Sequence, residues 1–203
     1  MSRGRFIVLE GGEGTGKSTL LPRLAARLRE RGLAVVETRE PGGTAVGEGV
    51  RVLLRDRLDP WAETFLFLAA RAQLTAEVIR PSLAQGVWVV CDRFAASTLA
   101  YQGYGRGLDL EALRLLNRVA TGNLEPDLTI LLDLEPSEGL RRKGAQADDL
   151  RTGAESLAFY ERVRQGYREL CAAALGRCVV IDAAQSPEAV EAAAWAAVAA
   201  LLP

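Results

Sequence analysis

The segment from residue 11 to residue 19, GGEGTGKST, brings together glycines, a lysine and hydroxyl side chains. Residues 11–18 fit the pattern G-x-x-x-x-G-K-[ST] and lie between an apolar run and an amphipathic one. In that setting backbone N–H groups and the start of the next helix hold phosphates, and the lysine reaches the β and γ oxygens. The segment therefore predicts an ATP phosphate site in which Lys17 is catalytic and the Ser18 hydroxyl binds Mg²⁺. The predicted ATP-binding residues of this segment are Gly11, Gly12, Glu13, Gly14, Thr15, Gly16, Lys17, Ser18 and Thr19.

A glycine-rich turn with a chance Gly-Lys-Ser is the alternative interpretation of that segment. Its position directly after an apolar run and directly before a helical pattern favours the phosphate site. Neither Asn117 nor Asn123 begins an N-K-x-D motif, so the sequence does not support guanine specificity. A phosphate loop by itself does not name a reaction.

A charged pair, Asp92 and Arg93, follows the apolar run VWVVC. At the carboxyl edge of a sheet, a carboxylate can hold Mg²⁺ through water and a guanidinium can bind phosphate with two hydrogen bonds. A salt bridge at the end of a strand is the alternative. The chain has no histidine, which excludes His-based triads and His metal sites. The remaining residue types indicate phosphoryl transfer by positioning and charge neutralisation.

Short apolar runs alternate with helical patterns along the chain, which predicts an α/β fold with a five-stranded parallel sheet flanked by helices. The predicted strands are Phe6–Leu9, Ala34–Val36, Val87–Cys91, Leu128–Leu132 and Cys178–Ile181. The predicted helices are Lys17–Arg31, Trp61–Ala84, Leu110–Ala120, Glu155–Ala174 and Glu188–Leu201. Because ligands of such sheets bind at the carboxyl ends of the strands, the charged residues above are expected to meet at one edge.

The 203 residues predict one domain, 1–203, with hydrophobic residues at 49% and charged residues at 25%. The net charge of -1 provides no basic field for a nucleic-acid partner. The longest apolar segment, Ala192–Leu202, is shorter than the roughly 18 residues of a membrane span, so no membrane partner is expected. The three cysteines, Cys91, Cys171 and Cys178, suggest neither a disulfide framework nor a zinc site, and a reducing cytoplasm is the expected location.

Several stretches resemble the thymidylate kinase (dTMP kinase) family in order and spacing over essentially the whole chain. They are EGGEGTGKST and PDLT together with TREPGGT (38–44), FLAAR (67–71), DRF (92–94) and YQGYGRG (101–107). The resemblance implies the P-loop nucleoside monophosphate kinase fold with a small lid. It also implies transfer of the γ-phosphoryl group of ATP to dTMP, giving dTDP, with Mg²⁺ as the cofactor.

The resemblance further implies roles at the acceptor site. Arg93 would hold the dTMP phosphate and support transfer, Asp92 would act catalytically through the metal, and Glu13 would accept a hydrogen bond from the sugar 3′-hydroxyl. Phe67 would stack on thymine and Arg71 would bond the base. The implied dTMP-binding residues are Glu13, Glu40, Arg51, Phe67, Arg71, Arg93, Ser97, Thr98, Tyr101 and Gln102. Considered without the resemblance, the position of Phe67 favours a core residue. The alternatives are a solvated carboxylate for Glu13 and a structural ion pair for Glu40 and Arg51.

The segment 141–153, RRKGAQADDLRTG, has charge and glycine without an apolar period and is the predicted lid. Some family members carry an arginine in the phosphate loop after the acid, where this chain has Gly14 and Thr15. The chain therefore resembles the bacterial type, whose lid supplies the basic residues; those available here are Arg141, Arg142, Lys143 and Arg151. The resemblance implies that Arg151 is catalytic and that the neighbouring Arg141 and Arg142 bind ATP. Related lids commonly read Asp-Arg, a hydrophobic residue and Glu, whereas this one reads DDLRTG, so the arginine that supports transfer is left open; a solvated loop is the alternative.

The implied partners are ATP, dTMP and a second copy of the chain, paired through the helix around residues 61–76. The apolar density of that helix is compatible with burial on more than one side. A kinase for another nucleoside or deoxynucleoside monophosphate is one alternative function, and a P-loop module that binds nucleotide without turnover is another. The combination of Lys17, Asp92 and Arg93 with the arginines of the predicted lid argues against the second alternative.

Overall fold

The computed structural model describes residues 3–144 and 155–202, and a parallel sheet lies at its centre. The strands are β1 (Phe6–Gly11), β2 (Val35–Arg39), β3 (Trp88–Asp92), β4 (Leu128–Asp133) and β5 (Cys178–Asp182). Their order in the sheet is β2-β3-β1-β4-β5, and every neighbouring pair is parallel. The α/β class, the five strands and the parallel sheet predicted from the sequence are confirmed.

Burial on both faces explains the continuous apolar runs of the central strands. On one face Ile7 and Leu9 pack with Leu24 in a cluster that also contains apolar residues of the last helix. On the other face Phe6 and Val8 pack with a second apolar cluster that includes Phe94. Because β1 pairs in parallel with both β3 and β4, the carboxyl ends of these three strands lie side by side. The residues that follow them therefore lie at one edge of the sheet.

Nine α-helices occur in residues 3–144 and 155–202. They are α1 (Lys17–Glu30), α2 (Ala45–Leu53), α3 (Pro60–Leu74), α4 (Arg80–Ala84), α5 (Ala95–Thr98), α6 (Leu110–Thr121), α7 (Pro136–Lys143), α8 (Leu157–Ala172) and α9 (Pro187–Ala199). Two π-helical segments, Thr75–Ile79 and Leu99–Gly105, continue α3 and α5. The predicted helix Trp61–Ala84 is therefore three consecutive segments, α3, a π-helical segment and α4.

Three of these helices, α2, α5 and α7, were not predicted. Gly47 and Gly49 interrupt the helical pattern of α2, but the Thr44 hydroxyl caps the helix by accepting the Gly47 N–H at 3.0 Å. Helix α7 begins at Pro136, and its last turn is the basic run 141–143 that was predicted as the start of the lid. Residues 145–153 of that lid lie outside the described residues.

The cysteines correct one sequence-based expectation. Cys171, in the last turn of α8, forms a disulfide with Cys178, the first residue of β5, with their Cα atoms 5.3 Å apart. The spacing criterion missed this pair because the turn between α8 and β5 brings together cysteines that are seven residues apart. Cys91 is a buried free thiol. None of the described helices is long and apolar enough to cross a membrane.

Candidate active site

The phosphate loop leaves β1 at Gly11 and enters α1 at Lys17. Lys17 is 7% exposed, and its ammonium donates to the carbonyls of Gly11 (3.0 Å) and Gly12 (2.8 Å) and to Thr15 Oγ1 (3.2 Å). Burial and the positive charge of Arg93 together lower the pKa of Lys17 to about 8, against the neighbouring carboxylates, which raise it. Ser18 is exposed in the first turn of α1. The loop thus has the ammonium inside its curve and a hydroxyl at the helix start, as a phosphate and Mg²⁺ site requires.

The loop contacts α7 directly, backbone to backbone. A Cβ atom at Gly14 would lie 2.1 Å from the carbonyl oxygen of Gly139, and a Cβ atom at Gly139 would lie 2.2 Å from the carbonyl oxygen of Glu13. Gly14 also has a φ of +64°, where side chains are disfavoured. The close approach of these two glycines brings the last turn of α7, with Lys143, to the phosphate loop.

The Glu13 carboxylate is surrounded by donors from three elements. It accepts from Arg93 Nη2 at 3.0 Å, from the Tyr101 hydroxyl at 2.8 Å and from the Lys143 ammonium. Burial alone would raise the pKa of Glu13, but the charges of Arg93, Lys17 and Lys143 outweigh burial and lower it to about 2. The alternative of a solvated loop carboxylate is therefore not what the structure describes.

Arg93 follows β3 in the left-handed backbone region, with a φ of +70°. Besides Glu13, its guanidinium donates to the Gly11 carbonyl (3.3 Å), Ser97 Oγ (3.4 Å) and the Tyr167 hydroxyl (3.3 Å). Its side chain is 20% exposed. These contacts fix a guanidinium beside the phosphate loop while leaving part of it open to a ligand.

Asp92, the last residue of β3, provides the oxygen best suited to Mg²⁺. Its Oδ1 atom is buried and has no hydrogen-bond partner among the described residues. No group of three or more histidine, cysteine, aspartate or glutamate side chains in residues 3–144 and 155–202 could hold a metal. Magnesium needs few protein ligands when nucleotide phosphates and water supply the rest, so one carboxylate oxygen and the Ser18 hydroxyl fit the ion.

Arg71, a residue of α3 predicted to bind the acceptor, is 1% exposed. Its Nε donates to Glu40 Oε2 (2.8 Å) and its Nη1 donates to Thr98 Oγ1 (2.7 Å) and Asn117 Oδ1 (2.6 Å). Its Nη2 donates to the Phe94 carbonyl at 3.0 Å and lies 2.6 Å from Glu40 Oε2. Every guanidinium nitrogen thus has a protein acceptor, and a hydrogen bond to a base would have to share or replace one of them.

The counter-ion of Arg71 is incompletely satisfied. Burial raises the pKa of Glu40 to about 7, against the charge of Arg71, which lowers it. Glu40 Oε1 and Asn117 Nδ2 are buried and have no hydrogen-bond partner among the described residues. Buried polar atoms without a partner are costly and commonly mark the place of a water molecule or a ligand group. The cluster therefore has one acceptor and one donor that a water molecule or a ligand group could pair with.

The other predicted acceptor residues lie around this cluster. Phe67 is half-buried on α3 and packs against the apolar cluster that contains Val50 and Leu54, so the interpretations as a core ring and as a base-stacking ring both remain compatible with its position. Gln102 is 4% exposed. Arg51 donates to the Pro41 carbonyl at 3.1 Å rather than to Glu40. Ser97 is half-buried and hydrogen-bonds to Glu10 and Tyr167.

The three basic residues at the end of α7 point to different places. Arg141 is 72% exposed and pairs with Glu138 on its own helix, whereas Arg142 also donates to the Ala183 carbonyl after β5 at 2.9 Å. Lys143 contacts Glu13. Of the three, Lys143 therefore reaches the phosphate loop. The predicted catalytic Arg151 lies outside the described residues.

Three residues of this site were not predicted from the sequence: Glu10, Tyr167 and Asn117, which accepts from Arg71. Glu10 and Tyr167 have direct hydrogen bonds to the residues that hold Arg93. The acid that ends the first apolar run, directly before the glycines, was a usable signal for Glu10. Tyr167 had no signal, because only the packing of α8 against the sheet brings it to the site.

Comparisons with known proteins show the family of the chain. A family model described as thymidylate kinase matches residues 9–194. The chain is 51% identical to the thymidylate kinase of Solidesulfovibrio magneticus, over 97% of this chain and 100% of that protein. It is 50% identical to that of Deinococcus radiodurans, over 98% of each. A crystal structure of thymidylate kinase from Ehrlichia chaffeensis superposes with a TM-score of 0.79 at 35% identity, covering 97% of this chain and 99% of that one.

Proposed function

This chain belongs to the thymidylate kinase family, and from that premise we propose that it is an ATP-dependent kinase that converts dTMP to dTDP at the site described above. The observation that carries the proposal is the arrangement of Lys17, Arg93 and Lys143 around Glu13, at the edge of the sheet where β1 and β3 end. Three cations at one loop match what the transfer of a phosphoryl group between two phosphorylated nucleotides needs.

In the proposed reaction an oxygen of the dTMP phosphate attacks the γ-phosphorus of ATP. The bond from this phosphorus to the β–γ bridging oxygen breaks, and the products are dTDP and ADP. Lys17 neutralises charge that develops between the β and γ phosphates, and Arg93 holds the acceptor phosphate in line with the transferred group. Both cations are held by protein acceptors before substrates bind, so little reorganisation is needed at the moment of transfer.

Mg²⁺ is the proposed cofactor, held by Asp92 Oδ1 through water and by the Ser18 hydroxyl. When bound, it neutralises charge on the transferring phosphates. The support for this assignment is the buried Asp92 oxygen that has no partner among the described residues.

For the acceptor nucleotide, we propose that Phe67 stacks on thymine while the buried cluster of Arg71, Glu40 and Asn117 reads the base edge. The unpaired Glu40 oxygen and Asn117 nitrogen support this placement, since they offer an acceptor and a donor. Thr98, Gln102, Ser97 and Arg51 complete the proposed dTMP site. Glu13 accepts the 3′-hydroxyl, which replaces one of the donors the carboxylate has in the free protein.

At the donor nucleotide, Arg141, Arg142 and Arg151 retain their proposed roles toward ATP. Lys143 joins them because it is the basic residue of α7 that contacts the phosphate loop. A triphosphate bound in the loop would compete with Glu13 for this ammonium.

We also propose that two copies of the chain pair through the surface formed by α2, α3 and α6. Apolar side chains are exposed on all three helices, among them Val52 (61%), Phe65 (55%) and Val119 (71%). Exposed apolar surface of this kind on adjacent helices favours association. The cytoplasmic location expected from the sequence stays a prediction.

A single assay tests the proposed function: ADP release from ATP and Mg²⁺ with dTMP, dUMP, dCMP, dAMP or dGMP, or with no acceptor. We expect dTMP to give the highest kcat/KM and the sample without acceptor to give almost no ADP. A higher kcat/KM for another monophosphate would identify a different acceptor. Nucleotide binding without ADP release in any sample would favour a non-catalytic P-loop module.

A further inference from the structure

Glu10 is a fully buried carboxylate that the reaction proposed above does not use. It lies in β1 directly before the phosphate loop and is 1% exposed. Its Oε1 accepts the backbone N–H of Phe94 (2.9 Å) and of Ser97 (3.2 Å). Its Oε2 accepts the hydroxyls of Ser97 (2.6 Å) and Tyr167 (2.9 Å). One buried side chain thus ties β1 to the segment after β3 and to α8.

The hydroxyls that donate to Glu10 are also acceptors for Arg93. Arg93 Nη1 lies 3.4 Å from Ser97 Oγ and 3.3 Å from the Tyr167 hydroxyl. A hydroxyl has one proton and two lone pairs, so a hydroxyl that gives its proton to Glu10 turns its lone pairs toward other donors. The two hydroxyl oxygens also lie 2.7 Å apart, so at least one of their two protons goes to Glu10 and the other goes to Glu10 or to the neighbouring hydroxyl. In either case the carboxylate anchors the pair with lone pairs left to receive the guanidinium.

Glu10 also holds the backbone on which Arg93 stands. The φ of +70° at Arg93 is unfavourable for a residue with a side chain, and such a conformation persists only where its surroundings enforce it. The next N–H along the chain, that of Phe94, donates to Glu10, and so does the N–H of Ser97 at the following turn. These two bonds close the turn that directs Arg93 toward the phosphate loop.

We propose that Glu10 is a positioning residue for phosphoryl transfer, which acts by fixing both the backbone turn and the guanidinium of Arg93. The inference rests on the proposed function, in which Arg93 binds the acceptor phosphate. It assigns to Glu10, Ser97 and Tyr167 a joint role behind Arg93.

The test begins with Glu10→Gln, which keeps the size of the side chain and a carbonyl oxygen for the two N–H groups. The amide NH₂ cannot accept the hydroxyl protons, so Ser97 and Tyr167 lose their orientation toward Arg93. We expect kcat for dTMP phosphorylation to fall roughly 10- to 100-fold, since small displacements of positioning groups cost that much. By calorimetry, dTMP binding should weaken about tenfold while binding of thymidine, which has no phosphate, stays unchanged.

A double-mutant comparison separates positioning from general stabilisation. In an Arg93→Met background, Glu10→Gln should cost little further activity, because its effect passes through Arg93. The control is Glu63→Gln, the same change in a buried carboxylate that pairs with Arg106. This control should lower activity by the same factor in the wild-type and Arg93→Met backgrounds. Equal fold losses from Glu10→Gln in both backgrounds, or an equal weakening of dTMP and thymidine binding, would overturn the inference.

Turnover by the unmodified chain is measured first, so a failure of the proposed function is visible separately. If another monophosphate is the acceptor, that monophosphate and its nucleoside replace dTMP and thymidine in the same test. A full-activity Glu10→Gln variant with any acceptor would also overturn the role of Glu10.

Discussion

The Glu13 carboxylate occupies a position that a phosphate loop would be expected to keep free of negative charge. Its pKa of about 2 means that it is ionised at any working pH, and Arg93, Lys143 and Tyr101 donate to it. In the absence of nucleotides it therefore serves as the counter-ion of cations that would otherwise repel one another. Phosphates can then replace it as the partner of Lys143 and Arg93.

Replacing Lys17 with alanine removes the ammonium that the loop carbonyls hold in place. We expect kcat to fall by a factor on the order of 10² or more, because a preorganised charge at the transferring phosphates is lost. Steady-state ADP release measures the effect, and thermal unfolding of the variant checks that the fold is retained. A folded Lys17→Ala variant with full activity would exclude the catalytic role.

The lowered pKa of Lys17 predicts a pH dependence. Because kcat/KM reports ionisations of the free enzyme, kcat/KM for ATP should fall as the pH rises through about 8, where the ammonium loses its charge. Lys17→Arg keeps its charge, so this variant should be slower overall but should not show that fall. A wild-type profile that stayed flat well above pH 8 would contradict the prediction.

The same pKa has a consequence for stability. The pKa of Lys17 in the folded protein lies below its ordinary value of 10.5, so the folded state loses the proton first. The cost of burying the charged ammonium therefore disappears as the pH rises from about 8 to 10.5, and the free energy of unfolding should increase through this term. Denaturant midpoints of the wild-type protein and of Lys17→Met, compared across this pH range, would isolate the contribution of Lys17 ionisation to the free energy of unfolding.

Tyr101 and Glu13 are expected to select the sugar of the acceptor. Crowding of a ribose 2′-hydroxyl against Tyr101 should cost about 1–3 kcal/mol, so Tyr101→Ala should narrow the kcat/KM gap between dTMP and ribothymidine monophosphate. The preference for thymine over cytosine serves as the internal control and should stay nearly intact. An unchanged sugar ratio would exclude this role of Tyr101.

Glu13→Gln tests the other half of the sugar site. The variant should lose more kcat/KM with dTMP than with its 3′-deoxy analogue, because the analogue has no hydroxyl to donate to Glu13. Equal losses with both acceptors would show that Glu13 does not bind the 3′-hydroxyl.

At the scale of the elements, α7 presents its basic residues to different surroundings. Lys143→Met should lower kcat more than Arg141→Met, because Lys143 contacts Glu13 while Arg141 is 72% exposed and pairs within its helix. Lys143 is proposed to act on the phosphates of ATP as the transition state forms, so the KM for dTMP should change little. A remote exposed cation, Arg29→Met, is the control. A rise in the KM for dTMP with unchanged kcat would contradict this placement of Lys143.

The sequence could predict the elements whose pattern is local. Each strand contains a short apolar run, although β2 continues past its run through three polar residues to Arg39. The phosphate loop is defined by its own residues. Both features therefore follow from consecutive residues of the sequence. Helix α2 was not predicted because its glycines weaken the helical pattern. The Thr44 cap and tertiary packing stabilise it instead. The Cys171–Cys178 disulfide and the hydrogen bonds of Tyr167 depend on how α8 meets the sheet, which no short stretch of sequence contains.

The acceptor site could be predicted only in part from the sequence, because its contacts come from separate elements. The spacing of Phe67 and Arg71 indicates a shared helix face, but it does not reveal that Arg71 is saturated by protein acceptors. Those acceptors come from the residue after β2, from α5 and from α6, and their convergence is a property of the folded chain.

At the scale of the whole molecule, the exposed apolar surface on α2, α3 and α6 predicts a dimer. Light scattering at micromolar concentration should give twice the mass of one chain. Phe65→Glu should shift the protein to monomers, since it places a charge where Phe65 stacks on Trp61 in this surface. Leu175→Glu, a change at a 91% exposed residue in the turn before β5, is the control and should leave the mass unchanged. A wild-type monomer would exclude the dimer.

The contact between Gly14 and Gly139 restricts how this kinase could evolve. An arginine placed in the loop at position 14 would need its Cβ only 2.1 Å from a backbone oxygen of α7, and a flexible side chain cannot relieve a clash at Cβ. A single substitution at position 14 therefore cannot add an arginine to the phosphate loop while α7 stays in its present place. The helix would have to shift first, and Lys143 would move away from Glu13 with it. An arginine at position 14 and the present contact between Lys143 and Glu13 therefore exclude each other.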